Sequence, residues 1–367
     1  MEQNIMRKTT DFNEGWLFSK TSEFPAAAPA GWEAVTLPHT WNAKDGQDGG
    51  NDYWRGTVIY AKAFAKPELA DGEKLFLEIP GAAMTAEVVL NGRSLSRHEG
   101  GYSCFRADLT DALEGENLMC IRVDNSANDR VYPQMADFTF YGGLYRGAKL
   151  ITVPAEHFEL IKDGTPAIKV TPVVDLAADS AVVTVEVWHN AAEAEITVNG
   201  ETKTANAENG CSKAEFVIEN VHLWDGVNDP YMYTAEAKLA SGDSVSADFG
   251  CRSMEFSAEK GFILNGRVYP LRGVSRHQDR RGLGNALTLR EHKEDLDLIL
   301  EMGANTIRLA HYQHASEFYD LCDRAGLVVW AEIPYISKHM PNGRENTLTQ
   351  MRELITQCYN HPSICCW

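Results

Sequence analysis

GANTIRLAHYQHASEFYDLCDRAGLVVWAEIP, residues 303–334, changes its hydrophobic period twice. NTIRLA (305–310) is a strand-like run, SEFYDLCDRA (316–325) is helical and is stopped by Gly326, and LVVWAEI (327–333) is again a strand. Apolar strands alternating with helices predict a parallel sheet covered by helices.

The same alternation extends in both directions. Upstream, a first strand runs through Leu271 to Arg276 and His277. Thr288 followed by Glu291 is a capping box, after which Leu289, His292, Leu296, Ile299, Leu300 and Gly303 fall on one helical face. Downstream, Thr347 and Gln350 give a second capping-box pattern. It is predicted to open a helix with Leu348, Met351, Leu354, Ile355 and Cys358 on its apolar side. Pro362 ends that helix and SICCW (363–367) starts a strand. Residues 258–367 therefore read as part of a β/α barrel.

The preceding residues have another style. From 1 to 153, short runs such as LFLEIPG (75–81), AEVVLNG (86–92), LMCIRVDN (118–125) and AKLITVP (148–154) are separated by Gly, Asn and Asp. LNGRSL (90–95) carries an Asn-Gly hairpin signal, and no helical period is evident. Aromatic and glycine residues crowd HTWNAKDGQDGGNDYWRG (39–56) and YPQMADFTFYGGLYRG (132–147), a composition suited to sugar stacking and equally to capping a sandwich. Residues 154–257 repeat the style in smaller form: AVVTVEVW (181–188), a second hairpin at EITVNGETK (195–203) and KAEFVIENV (213–221) predict an immunoglobulin-like sandwich that acts as a brace.

A length of 367 residues predicts two or three domains. The net charge of −18 argues against a nucleic-acid partner, since binding phosphate needs clustered Lys and Arg. No run of eighteen apolar residues is present, so no membrane partner is expected. Eight Cys are scattered without a CxxC pair. With no apolar signal segment and no N-x-S/T sequon, a reducing cytoplasm is expected. His311 and His314 lie in a loop without a third ligand, and Cys365 and Cys366 are predicted to face opposite sides of a strand, so no metal site is expected. Arg280-Arg281 reads as a solvated loop.

In a β/α barrel, chemistry sits at the C-terminal ends of the strands. Here those ends present Arg276 and His277, then Arg308, His311 and Tyr312, then Glu332. Three strand ends carrying Arg, His and Glu read as a site, because buried charge needs a partner.

RGVSRHQD (272–279), the stretch 303–334 and NHPSICCW (360–367) together resemble glycoside hydrolase family 2, with bacterial β-galactosidases the nearest match. The likeness extends back through VVLNGRSLSRHEGGYSCFRADLT (88–110) and DFTFYGGLYRGAKLI (137–151). It implies a jelly-roll sugar-binding domain (1–153), an immunoglobulin-like β-sandwich (154–257) and the first part of a (β/α)8 TIM barrel (258–367). It implies retaining hydrolysis of terminal β-D-galactosides, a β-galactoside or other small oligosaccharide as substrate, and a homo-oligomer. By the same resemblance His277 and His311 lie beside the sugar and its developing charge. Arg308 lies at the floor of the pocket, Asp137 reaches over to sugar hydroxyls, and Glu332 supports the Arg and His groups. The acid/base and nucleophile Glu are expected beyond Trp367, so the chain is read as an N-terminal part cut within its fourth barrel strand and inactive alone. Ile336 and Lys338 stand where some members hold magnesium with Glu and His, which puts magnesium in doubt. β-Glucuronidase is the alternative activity, and a non-catalytic carbohydrate-binding or scaffold protein the alternative class.

Overall fold

A computed structural model describes residues 6–47 and 52–367. Part of the 39–56 loop and the first five residues of the opening segment lie outside the described residues.

The first domain is a sandwich of two antiparallel sheets. One has four strands in the order Lys8–Asp11, Lys149–Val153, Lys74–Ile79 and Phe105–Asp108. The other has six: Glu33–Val35, Trp16–Ser19, Thr57–Ala65, Glu116–Asp124, Thr85–Leu90 and Arg93–Glu99. This crossed order is that of a jelly roll. Between the sheets lie Trp16, Tyr60, Leu77, Val88, Phe105 and Ile121, all buried. The Asn-Gly hairpin forms as read, with Asn91 at φ 52° and Gly92 at φ 79°, the left-handed pair that a tight hairpin demands.

The second domain is a seven-strand antiparallel sandwich, ordered Ile168–Asp175, Ser180–Trp188, Cys211–Glu219, Glu201–Glu208, Glu193–Val198, Tyr233–Lys238 and Ser244–Phe249. Its alternation is clean. Along Cys211–Glu219, Ser212, Ala214, Phe216 and Ile218 are buried while Lys213, Glu215, Val217 and Glu219 are exposed. A small three-strand sheet (Met254–Ser257, Gly261–Leu264, Arg267–Val268) leads into the third domain.

That domain is a parallel sheet of β1 (Gly273–Arg276), β2 (Thr306–Leu309), β3 (Val328–Ala331) and β4 (Ile364–Cys366), paired in that order. Helices α1 (Leu289–Glu301), α2 (Ser316–Ala325) and α3 (Arg344–Cys358) connect them, as the opening portion of a (β/α)8 barrel. The Thr288–Glu291 capping box forms: Thr288 accepts from the amide of Arg290, and its own amide donates to Glu291 Oε2 at 2.8 Å. Gly326 ends α2 in the left-handed conformation.

Two helix readings are corrected. On α1, Leu289 and Leu300 are exposed, and the buried face is Glu291, His292, Leu296 and Ile299. Thr347 and Gln350 do not cap α3, which starts three residues earlier. Thr347 Oγ1 donates back to Gly343 O, and Gln350 is buried inside the helix. The reason is tertiary. Asn346, Gln350, Glu353 and Gln357 recur at helical spacing and meet the jelly roll. Asn346 accepts from Tyr132 N, Gln350 donates to Tyr132 O, Glu353 accepts from Ser103 Oγ at 2.5 Å, and Gln357 bonds both backbone groups of Cys104. This polar face holds the jelly-roll loops over the strand ends.

The middle sandwich is fixed to the barrel as closely. Trp224 Nε1 donates to Asp323 O at 2.9 Å, and Asn360 Nδ2 donates to Ile168 O at 2.9 Å. A Cβ on Gly326 would fall 2.1 Å from Gly226 O, so the two backbones touch where only glycine fits.

Candidate functional site

Register sorts the strand side chains between two faces. Ser275, Arg308 and Trp330 share one rung, and Arg276, Leu309 and Ala331 share the next. The second set is buried against the helices, while Arg308 and Trp330 look the other way, into the barrel. Arg276 is therefore not a pocket residue. Its guanidinium donates to Asp295 Oδ2 at 2.9 and 2.6 Å, to His292 Nδ1 at 3.0 Å and to His314 Nδ1 at 3.2 Å. His314 completes its bonding by donating Nε2–H to Ala310 O, which leaves it no lone pair for a metal.

Burial, then the neighbouring Arg276 charge, pushes His292 down to about 3 and His314 well below its ordinary 6.5. Both stay neutral in the fold and take up protons near 6.5 when unfolded. Depressed folded values mean stability that is present above pH 6.5 and is lost as pH falls. The slope is about 1.4 kcal/mol per pH unit for each histidine. His361 has the opposite sign. Burial lowers it, but Asp323 and Asp320 more than offset that and raise it, so its stabilisation is present at low pH and fades as pH rises. Burial also holds His39, His189 and His277 below 6.5, so five histidines against one predict a thermal midpoint that falls between pH 7 and pH 5. A midpoint unchanged or higher at pH 5 would contradict this placement.

Past the strand ends, the expected residues converge. Arg308 makes a two-pronged ion pair with Glu332, one bond at 3.1 Å. His311 Nδ1 lies 3.1 Å from Glu332 Oε2 and 3.0 Å from the Arg308 guanidinium. An Nδ1–H donating to Glu332 leaves Nε2 as the ring's acceptor. The His277 and His311 rings lie 5.1 Å apart, and Phe138 from the jelly roll packs against both, at 4.9 and 5.8 Å. Burial first, with the His311 ring and the Arg308 guanidinium alongside, holds His277 below its usual value although Asp279 and Asp137 pull upward.

His277 and Phe138 line an open pocket of about 550 Å³ together with Asp137, Tyr141, Asp279 and Arg281, with Gly46, Gln47 and Thr139 completing the wall. Asp137 is exposed at its mouth. Of the residues predicted from sequence, Asp137 and His277 line this pocket. His311 adjoins it through Phe138, and Arg308 and Glu332 form the clamp behind His311. Phe138, Tyr141, Asp279 and Gln47 were not foreseen. An aromatic residue directly after Asp137 was the available signal for the first.

The loop after β3 presents Ile336 and exposed Lys338, and His339 there bonds Tyr335 at 3.0 Å. An aliphatic side chain and an ammonium offer no oxygen ligand, so magnesium does not fit there. Elsewhere, Asp320, Asp323 and His361 bring ligand atoms within 4.8 Å of one another. Asp323 is already bound to His361 and to the Ser363 amide, which makes this an ion-pair cluster joining α2 to the Asn-His-Pro-Ser turn. The Cys365 and Cys366 sulfurs do not diverge as expected: they lie 3.7 Å apart, on a strand whose pairing with β3 is irregular.

Two sandwiches, a parallel β/α sheet and a polar, aromatic-walled pocket beside its strand ends are the features by which the chain can be compared with known proteins. The chain belongs to glycosyl hydrolases family 2: that family matches residues 161–252, and its TIM barrel domain matches residues 257–367. A solved FMN-binding β-glucuronidase from Faecalibacterium prausnitzii L2-6 is 42% identical with a TM-score of 0.90, over 98% of this chain and 57% of that one. The β-glucuronidase of Bacteroides fragilis is 36% identical over 99% of this chain and 56% of its own length. The β-galactosidase of Thermoanaerobacter pseudethanolicus is 29% identical over 98% and 51%. The chain thus spans about half the length of the relatives it matches.

Proposed function

We propose that the protein to which this chain belongs is a retaining β-glycosidase that acts on β-glucuronides, and that these residues form the sugar-recognising half of its site. The observation that supports the choice of sugar is that relatives at 42%, 36% and 35% identity carry the name β-glucuronidase, against one solved structure from Bacteroides fragilis, at 36%, that carries the name β-galactosidase. β-Galactosides, the first expectation from the sequence motifs, become the second reading, favoured by that structure at 36% and by the match at 29% identity.

The site's own chemistry supports a sugar. Asp137 offers a carboxylate to ring hydroxyls, and Phe138 offers an apolar face beside the two histidines. Neutral His277 can donate or accept without adding a charge next to Arg308. Retaining hydrolysis also needs two opposed carboxyls roughly 5 Å apart, one as acid/base and one as nucleophile. Glu332 does not serve as either, because both its oxygens are engaged by Arg308 and His311. We assign that pair to polypeptide outside residues 1–367.

The test is turnover by the whole protein of 4-nitrophenyl β-glucuronide against 4-nitrophenyl β-galactoside. A kcat/KM at least about a hundredfold higher for the glucuronide is expected, rising toward about 10⁴ where buried polar groups of the site are left unpaired by the galactoside. Preference for the galactoside selects the second reading. Sugar binding without turnover of either selects a non-catalytic role.

A further inference from the structure

The two adjacent arginines after β1, read from sequence as one solvated loop, are sorted by the fold into different tasks. Arg280 is turned back onto α1, where it pairs with Glu294 and donates to Asp295 Oδ1 at 2.8 Å. Its carbonyl accepts from Leu283 N at 3.0 Å, closing a four-residue turn with Gly282 third at φ 82°. That is a type II turn, and Arg281 occupies its second corner. The turn is also tied to the jelly roll. Gly282 N donates to Gln47 Oε1 at 2.7 Å, Gln47 donates to the Tyr141 hydroxyl at 2.9 Å, and that hydroxyl donates to Asp279 Oδ2 at 3.0 Å. Arg281 thus stands on a backbone held from both sides. It is exposed, lines the pocket, and has no carboxylate partner among the described residues.

The pocket mouth already carries Asp137 and Asp279. An acidic ligand entering there meets two carboxylates, and Arg281 is the permanent cation of the lining that can offset them. Arg308 cannot, because Glu332 occupies its guanidinium. A guanidinium matches a carboxylate with two parallel hydrogen bonds, which a neutral sugar does not offer. We propose that Arg281 is a specificity residue that binds a carboxylate of the substrate. This rests on the reading that the site takes acidic saccharides, and the carboxylate belongs to the glucuronyl ring or to an acidic leaving group.

The experiment compares the whole protein with its Arg281→Gln and Arg281→Lys variants. The substrates are 4-nitrophenyl β-glucuronide, 4-nitrophenyl β-galactoside and a carboxyphenyl β-galactoside. For Arg281→Gln, KM for the glucuronide should rise about tenfold with kcat within about twofold, and the neutral galactoside should not change. Arg281→Lys should recover most of the loss, and added salt should shrink the difference. A KM rise confined to the carboxyphenyl galactoside also supports the assignment and places the carboxylate on the leaving group. Equal changes for all three substrates, or none, overturn it. Should the wild type fail to turn over any glucuronide, the proposed function falls, while the two galactosides still decide the role of Arg281.

Discussion

A preparation of residues 1–367, verified in length by mass spectrometry, is expected to turn over neither an aryl β-glucuronide nor an aryl β-galactoside, falling at least about 10⁴-fold below the whole protein. General acid–base assistance alone is worth roughly 10²–10⁴, and without a nucleophile the covalent route is closed as well. The described residues line a pocket but offer no opposed pair of uncommitted carboxyls. Glu332 is clamped by Arg308 and His311, and Asp279 accepts from the Tyr141 hydroxyl. Asp137 is exposed on a jelly-roll loop, and the other carboxylate of the pocket lining, Asp279, is the one held by Tyr141. The measurement is initial rate against enzyme concentration, after removal of contaminating glycosidase. Turnover that scales with this chain, at a rate within a hundredfold of the whole protein, would show that the acid/base and nucleophile are among these residues.

Local features were readable in the sequence, and features set by distant partners were not. Thr288 and Glu291 specify a helix start because both partners lie within one turn. Asn91-Gly92 specifies its hairpin because the turn needs positive φ at both positions. Gln350 looked like the second half of a capping box, yet its partner is the carbonyl of Tyr132 in another domain. No local pattern encodes that. Arg276 and Arg308 both sit in short apolar strands and looked alike. Pairing register alone turns one toward the helices and the other into the barrel, and a one-residue slip would exchange them. His277, Arg308, His311 and Glu332 could be named because they fall at the ends of the barrel strands, whereas Asp137, on a distant loop, was supplied only by the resemblance. The residues that tie the mouth together, Gln47, Tyr141 and Asp279, come from three segments with no shared periodicity.

Replacing Glu332 by Gln in the whole protein should lower kcat on the order of 10³-fold while leaving the fold intact. The carboxylate receives both prongs of Arg308 and orients His311 through Nδ1. An amide can accept one of these bonds but presents an N–H to the other, so either the arginine or the histidine must turn away. Loss of a carboxylate that sets a histidine's tautomer costs up to about 10⁴ in kcat where it has been isolated. Stability should respond far less. The Arg308 side chain is 43% exposed, and such a pair contributes about 0–1 kcal/mol after screening. The two readouts separate positioning from scaffolding: a purely structural carboxylate would lower the melting temperature and kcat together. Glu332→Asp keeps the charge but shortens the reach, and should recover part of the rate. If the Gln variant keeps its melting temperature and stays within threefold of wild-type kcat, the Arg308–Glu332–His311 unit does not position the reacting sugar, and the pocket's chemistry must be built around His277 and Asp137 alone.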